Sequence, residues 1–394
     1  MAYYRDTSPW TMDGAKVDVV ENNEHLGLIV SGDREEEKNI DARLKKARSS
    51  LFSLLGPAFS QKCLLSPVVK VHLFKLFTCP ILRCGLSSMT IRPSQFTPID
   101  VFHRKTLKSF LSLSDRASTA GIHFLLAELP LQARIHRDVF SLFYSIWSNP
   151  EAKIHGIVKY LMDNSPSNSR TWSIYLRNLA KTYELPDPLS LLQETPMPKT
   201  SFKKLVQDKI VAYWEQDLKE RARTSTNLKY FNVDQLKLNG RPHPAIDGAT
   251  TTTTAKELRP AVKMLLNDYY TFQLRSTNSN NSLSPYCRLP GCNEKVEDTQ
   301  HVLHCPATSS ARESLLTELR ELVESASPHI DYVRLSQNEE TMTQFLLDCS
   351  SHNLEPEQRI DQNYKLTMDV FKICRRIINA THCMRIKLLR TIIT

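Results

Sequence analysis

Glycine is scarce, with 10 in 394 residues. A sandwich or barrel needs many tight turns, so this scarcity, beside abundant Leu, Lys, Arg and Glu, argues for helices over sheets. No long apolar run is present either. The longest, around Val68–Met89, is broken by Lys70, His72, Lys75, Pro80 and Arg83, so no transmembrane helix is expected. The opening MAYYRDTSPW has no apolar segment of the kind a signal peptide needs. No internal repeat is visible, and no two aspartates are adjacent anywhere. No Ser/His/Asp or Cys/His motif with a recognisable local signature appears, which argues against a hydrolase built on a nucleophile.

What is present is a chain with enough apolar residues, 41%, to bury real cores, and a formal charge of +9. Such a balance fits a polyanionic partner, although charge alone is a weak guide. The nine cysteines are odd in number and mostly scattered through apolar helical segments, which suits a reducing compartment. An intracellular protein of cytoplasm and nucleus, without membrane attachment, is the expectation.

The most informative stretch is 284–306, SPYCRLPGCNEKVEDTQHVLHCP. Cys287 and Cys292 flank a Pro290-Gly291 turn, and His301 and Cys305 follow at i and i+4. Zinc takes four such ligands in a tetrahedron, and short pairs on a turn and a helix supply them with little chain entropy lost. One face of a single helical turn is expected to present His301 and Cys305, while His304 points elsewhere as a rim residue. Four protein ligands close the coordination sphere, so the zinc would be structural.

Hydrophobic periodicity predicts a mainly α fold: a multi-helix bundle with a short N-terminal β-hairpin and a small zinc-knuckle module. The hairpin pairs Val17–Val20 with His25–Val30 around an Asn22-Asn23 turn. A helix capped by Asp33 runs to a Gly56-Pro57 stop, and another spans Pro67–Met89 with a kink at Pro80. Further helices cover about 93–113, 120–129, 131–148, 151–162, 170–183 and 201–223. Trp147, ending the Phe140, Phe143, Tyr144 stripe, reads as core. On the 201–223 helix Lys203, Lys204, Lys209, Lys219, Arg221 and Arg223 read as a solvated face or a phosphate-tracking surface. The division expected is a hairpin at 1–30, a helical body at 31–223, a linker at 224–254, a helix plus knuckle at 255–326 and a helical tail at 327–394.

The order of several short motifs resembles the C-terminal part of a non-LTR, LINE-like retrotransposon reverse transcriptase. His25-Leu26-Gly27 and the Ile40–Ala47 helix are similar to that family's strand and first thumb helix. Pro80-Ile-Leu-x-x-Gly85, Phe102-His-Arg-Lys-Thr-Leu-Lys108, Leu129-Pro130-Leu-x-Ala-Arg134 and Ser141-Leu-Phe143 resemble successive helical motifs. Cys287, Cys292, His301 and Cys305-Pro306 resemble its terminal CCHC knuckle. The similarity covers about residues 17–325.

The resemblance implies an RNA-directed DNA polymerase, yet the paired aspartates that hold two magnesium ions in such enzymes are missing here. Magnesium would enter only with a palm domain, and a palm or endonuclease part of the same element is the implied neighbour. The expected role is therefore that of a fragment gripping template and primer, RNA with an RNA–DNA hybrid or DNA, by its phosphates. Arg43, Lys46, Arg104, Lys105 and Lys108 are the candidate phosphate contacts of the thumb, with His103 in the same basic cluster. Arg288 and Lys295 are the candidates on the knuckle, beside the Tyr269-Tyr270-x-Phe272 aromatics. The alternative is a zinc-stabilised helical scaffold or protein-interaction module whose charges are merely solvated.

Overall fold

A computed structural model describes residues 11–13, 15–16, 20–59, 65–234, 237–238, 240–248, 252–279, 283–292, 295–352, 354 and 360–393. Among them the chain is mainly helical, with strands only near the N-terminus. The hairpin forms, but in a different register from the expected one. Asn22–His25 pairs antiparallel with Leu28–Ser31 around Leu26-Gly27, not around Asn22-Asn23. Leu26 (φ 49°) and Gly27 (φ 79°) are both left-handed, as a two-residue hairpin turn demands. Of the predicted Val17–Val20 strand, residues 17–19 lie outside the described residues.

The hairpin is fastened to the first helix, Glu35–Phe59. Asn39 exchanges hydrogen bonds with the Ile29 backbone, accepting at 2.8 Å and donating at 2.7 Å. Three glutamates open this helix, where the positive end of the helix dipole favours them. It continues through Gly56-Pro57, past the predicted stop.

The predicted kink at Pro80 appears as a change of winding just before it. Pro67–Leu73 is α, Phe74–Thr78 is a π turn and Cys79–Arg83 is α again. Cys79 donates to the Phe74 carbonyl, five residues back, which takes up the register disturbed by a proline without an N–H. Gly85 then reverses the chain at φ 77°, a conformation costly for a residue with a Cβ.

The helices Pro93–Phe110, Thr119–Leu126, Leu131–Trp147, Lys153–Asn164, Trp172–Thr182 and Lys199–Arg223 follow the predicted pattern within a few residues. Trp147 is buried as expected, stacked on Phe143 with its indole N–H donating to the Glu194 carbonyl at 3.1 Å.

The described residues of 224–254 do not behave as a linker. Leu228, Tyr230, Phe231, Val233, Leu238 and Ile246 all enter the main core. His243 N donates to the Leu125 carbonyl at 2.9 Å, and Asn232 N donates to the buried Asp348 carboxylate at 2.8 Å. The polar composition concealed apolar residues spaced between turns. Residues 235–236, 239 and 249–251 lie outside the described set.

The 327–394 segment is equally integrated. The final helix, Ile360–Ile393, packs against Thr252–Leu265, Glu313–Ala326 and Glu339–Leu347. A second core forms there around Phe345, Phe371, Cys374, Leu319 and Val323. The last turns of this helix reach the cysteine-rich stretch.

Candidate metal centre and basic surface

Two short arms build the cysteine-rich module. Tyr286 and Val296 form an antiparallel bridge, Cys287 N donates to the Lys295 carbonyl at 2.8 Å, and Glu297 N donates to the Pro285 carbonyl at 2.9 Å. The turn between the arms passes through Gly291 at φ 78°. A Cβ built there would meet nothing, so the backbone conformation alone explains the glycine. Asp298 then caps the Thr299–His304 helix, accepting from His301 N at 2.6 Å. Cys305 is the residue just past that helix, with an extended ψ of 124°. Its φ of −55° is still helical and only the chain after it turns away, so its side chain leaves the same helical turn as that of His301.

One ligand atom from each of Cys287, Cys292, His301 and Cys305 lies within 4.8 Å of all the others. Cys292 Sγ and Cys305 Sγ are 3.2 Å apart. A tetrahedron with ~2.3 Å metal–sulfur bonds has edges of about 3.8 Å, between these values. His301 Nε2 is buried without a hydrogen-bond partner among the described residues, which a metal ion would supply. Leu289, Ala307, Leu388 and Leu389 close an apolar shell round the sulfurs. These residues fit a metal ion held by protein ligands alone. His304 is not among them, since its Nε2 lies 3.0 Å from Thr343 Oγ1.

Three groups that hold this module were missed in the sequence. Arg312 is buried, and both its Nη atoms donate to the Cys305 carbonyl at 3.1 Å. Glu297 and Arg385 form an enclosed ion pair between the second arm and the final helix, with side chains 1% and 4% exposed. Glu297 also accepts from Phe272 N at 3.0 Å, and Arg385 donates to the Tyr270 carbonyl at 3.3 Å. Burial pulls the Arg385 pKa down, but Glu297 outweighs it and holds the guanidinium above its usual value. A lone Glu and a lone Arg, 88 residues apart, gave no periodic signal that could have found the pair.

The seven candidate phosphate contacts divide. Arg43 is buried, donating to the Gly27 carbonyl at 2.6 Å, so it fixes the hairpin and does not face solvent. Lys108 is buried as a residue, and its ammonium donates to the Asp115 carbonyl at 2.6 Å. Burial and then Arg104 lower its pKa. Both are corrections to the expected surface. His103 is another: it is enclosed, stacked on Phe74 at 5.7 Å and edge-on to His123, and burial drives its pKa well below the usual value.

Arg104, Lys105, Lys46, Arg288 and Lys295 are exposed. Lys105 lies 3.6 Å from Asp115 and Lys46 3.6 Å from Glu24, both loose surface pairs. Arg288 stands over the Phe272 ring at 5.1 Å, and Arg275 stands over Tyr270 at 5.1 Å, with Tyr270 62% exposed.

One serine–carboxylate–imidazole cluster also occurs, at Ser350, Asp348 and His243. Ser350 and His243 both address the carboxylate of Asp348, and the His243 and Asp348 side chains are wholly enclosed. The imidazole does not stand between serine and carboxylate, so it cannot take the serine proton; the cluster is structural. No helix among the described residues is long and apolar enough to cross a membrane. Comparison with protein-family models, curated proteins and solved structures finds no match for the chain.

Proposed function

We propose that the chain binds RNA or an RNA–DNA hybrid through its phosphates, with zinc as the structural metal of the knuckle. In this reading it is a counterpart of the thumb and terminal knuckle of a LINE-like reverse transcriptase, without polymerase chemistry of its own. The motif order supports the kinship, and the 394 residues contain no adjacent aspartates to hold two catalytic metals. Three cysteines and a histidine favour zinc over calcium or magnesium, which prefer oxygen.

The observation that carries the binding reading is the continuity of two cation sets far apart in sequence. Lys105 pairs with Asp115, and the next residue, Arg116, donates to Asn278 Oδ1. Ser114 N donates to Asp268 at 2.8 Å, tying the same loop to the segment before Phe272. Asn278 ends the Phe272–Asn278 helix, whose first turn carries the ring that Arg275 and Arg288 flank. Lys105 and Arg116 are thus linked by direct contacts to the helix that carries Arg275, beside the exposed Tyr270 and Arg288, with Arg104 next to Lys105 in the chain. Cations beside an exposed aromatic ring suit a phosphate backbone with unstacked bases.

Gel shifts with single-stranded RNA and with an RNA–DNA hybrid test this across a salt series. Affinity is expected to fall linearly on a log–log plot, and each phosphate contact removed should flatten the slope by about 0.7–0.9. Arg104→Glu/Lys105→Glu and Arg288→Glu should each weaken binding tenfold or more. Absence of binding at low salt would leave the helical scaffold as the function, and a flat salt response would sink the electrostatic mechanism.

A further inference from the structure

A second cationic feature lies on helices that carry none of those residues. The Leu131–Trp147 and Lys199–Arg223 helices pack together and leave a cleft of about 530 Å³. Phe140, Phe202 and Val206 give it an apolar floor. Around them stand Arg137, Lys203 and Lys204, with Ser141 and Gln207 as neutral polar neighbours. The cleft has one carboxylate, Asp138, and it is already 3.4 Å from Arg83. Lys203 and Lys204 are exposed and have no ion-pair partner among the described residues. Three cations therefore face the cleft, and its one carboxylate is shared between Arg83 and Arg137.

The groups behind them sharpen this imbalance. Arg137 Nη1 donates to Gln207 Oε1 at 2.9 Å, and the Gln207 Nε2 remains enclosed without a partner. Arg83 keeps its Nε in the same condition. Burial, then repulsion from Arg134 and Arg83, pull the Arg137 pKa below its usual value, with Asp138 acting the other way. The Arg134 repulsion is partly offset by that guanidinium's own partner, Glu128, at 2.6 Å. An anion in the cleft would reduce this repulsion. A planar or apolar body attached to the anion would cover the floor, and the volume lies in the range of small-ligand sites.

We propose that the cleft between these two helices, with Arg137, Lys203 and Lys204 at its edge, binds a phosphate-bearing ligand. The phosphate would sit among the three cations, with the rest of the molecule against Phe140, Phe202 and Val206. Arginine supplies a planar fork for two phosphate oxygens, and the lysines add point charges. Two sources share this chemistry: a free mononucleotide-like phosphomonoester and the terminal phosphate of a nucleic-acid strand.

Calorimetric titration of the full chain separates them. The probes are inorganic phosphate, adenosine monophosphate, and one short oligonucleotide prepared with a 5′-phosphate and with a 5′-hydroxyl. Saturable one-to-one binding of the monophosphate is expected. Lys203→Ala/Lys204→Ala should weaken it by about tenfold per lysine. Both lysines are exposed, so the variant should fold normally, and an unchanged circular dichroism melt checks that. Arg104→Glu/Lys105→Glu should leave this binding intact, which separates it from the nucleic-acid surface. Preference for the 5′-phosphate oligonucleotide over the monophosphate assigns the strand end; the reverse assigns the free ligand. The proposal is overturned if no phosphate-bearing probe saturates, or if the double lysine variant binds as tightly as the parent.

Discussion

Replacing Arg385 by methionine is the most direct test of how the metal module is held. Methionine fills much of the same volume and keeps an apolar stem, so packing against Tyr269 and Phe272 is largely retained. What is lost is the charge facing Glu297, whose side chain is 1% exposed and keeps the backbone N–H of Phe272, at 3.0 Å, as a donor to its carboxylate. Removing one partner of a buried, hydrogen-bonded ion pair costs about 3–5 kcal/mol, because the other charge stays enclosed. Urea unfolding followed by circular dichroism measures that loss if it is global. If it is confined to the knuckle and the last turns of the final helix, it appears in the metal affinity instead. At ~1.4 kcal/mol per decade, 3 kcal/mol is a weakening of roughly 150-fold, readable from a competition titration with a chromophoric chelator. The double variant Glu297→Gln/Arg385→Met should recover a large part, since a neutral amide still accepts from Phe272 N. A single variant within about 0.5 kcal/mol of the parent, with metal affinity unchanged, would refute the reasoning.

Two other outcomes follow from the structure. One equivalent of zinc should be found by elemental analysis, and its cobalt-substituted form should show the absorption of a tetrahedral three-sulfur, one-nitrogen site; Cys292→Ser should abolish both, and chelation should lower the melting temperature. Acid should destabilise the fold through His123, whose pKa is pushed down to about 4 by burial, against the hydrogen bond to the Glu128 carbonyl. The folded state holds this imidazole neutral, so its contribution is whole above pH ~6.5 and falls as pH drops through that value toward about 4. That difference corresponds to about 3 kcal/mol, and His123→Phe should lessen the fall of the urea midpoint between those pH values, the remainder coming from His103, which burial also holds neutral.

The helical body was legible because its signals are local. Apolar residues at 3.6-residue spacing, prolines at helix starts and a Pro-Gly turn report on neighbours within a few residues. The four candidate ligands were legible for the same reason, the last lying 18 positions after the first. The hairpin register slipped because Asn22-Asn23 is as good a turn signal as Leu26-Gly27, and only Asn39 and Arg43, from the next helix, favour the second. Residues 224–254 looked like a linker because threonines, prolines and a glycine hide Leu228, Phe231 and Ile246, whose burial depends on distant helices. Arg43, His103 and Lys108 were assigned to the surface by residue type. Each is instead enclosed by a partner that periodicity does not reveal: a turn carbonyl, a phenylalanine ring and a loop carbonyl.

These corrections narrow the candidate binding surface and also make it more coherent. With Arg43 and Lys108 committed to carbonyl groups, the 35–59 helix keeps Lys46 and the 93–110 helix keeps Arg104 and Lys105, a short stretch of charge that would track few phosphates. The contacts of Arg116 with Asn278, and of Arg288 with Phe272, extend that stretch onto the metal module. The module in turn is fixed to the final helix by Arg385, so the last segment of the chain positions a surface to which Arg104 and Lys105 contribute. Under the proposed function, truncating the final helix before Arg385 should therefore weaken RNA binding even though no candidate phosphate contact is removed. Such a loss, with the 93–110 helix left folded, would separate a surface organised by the metal module from one made of the basic helix alone.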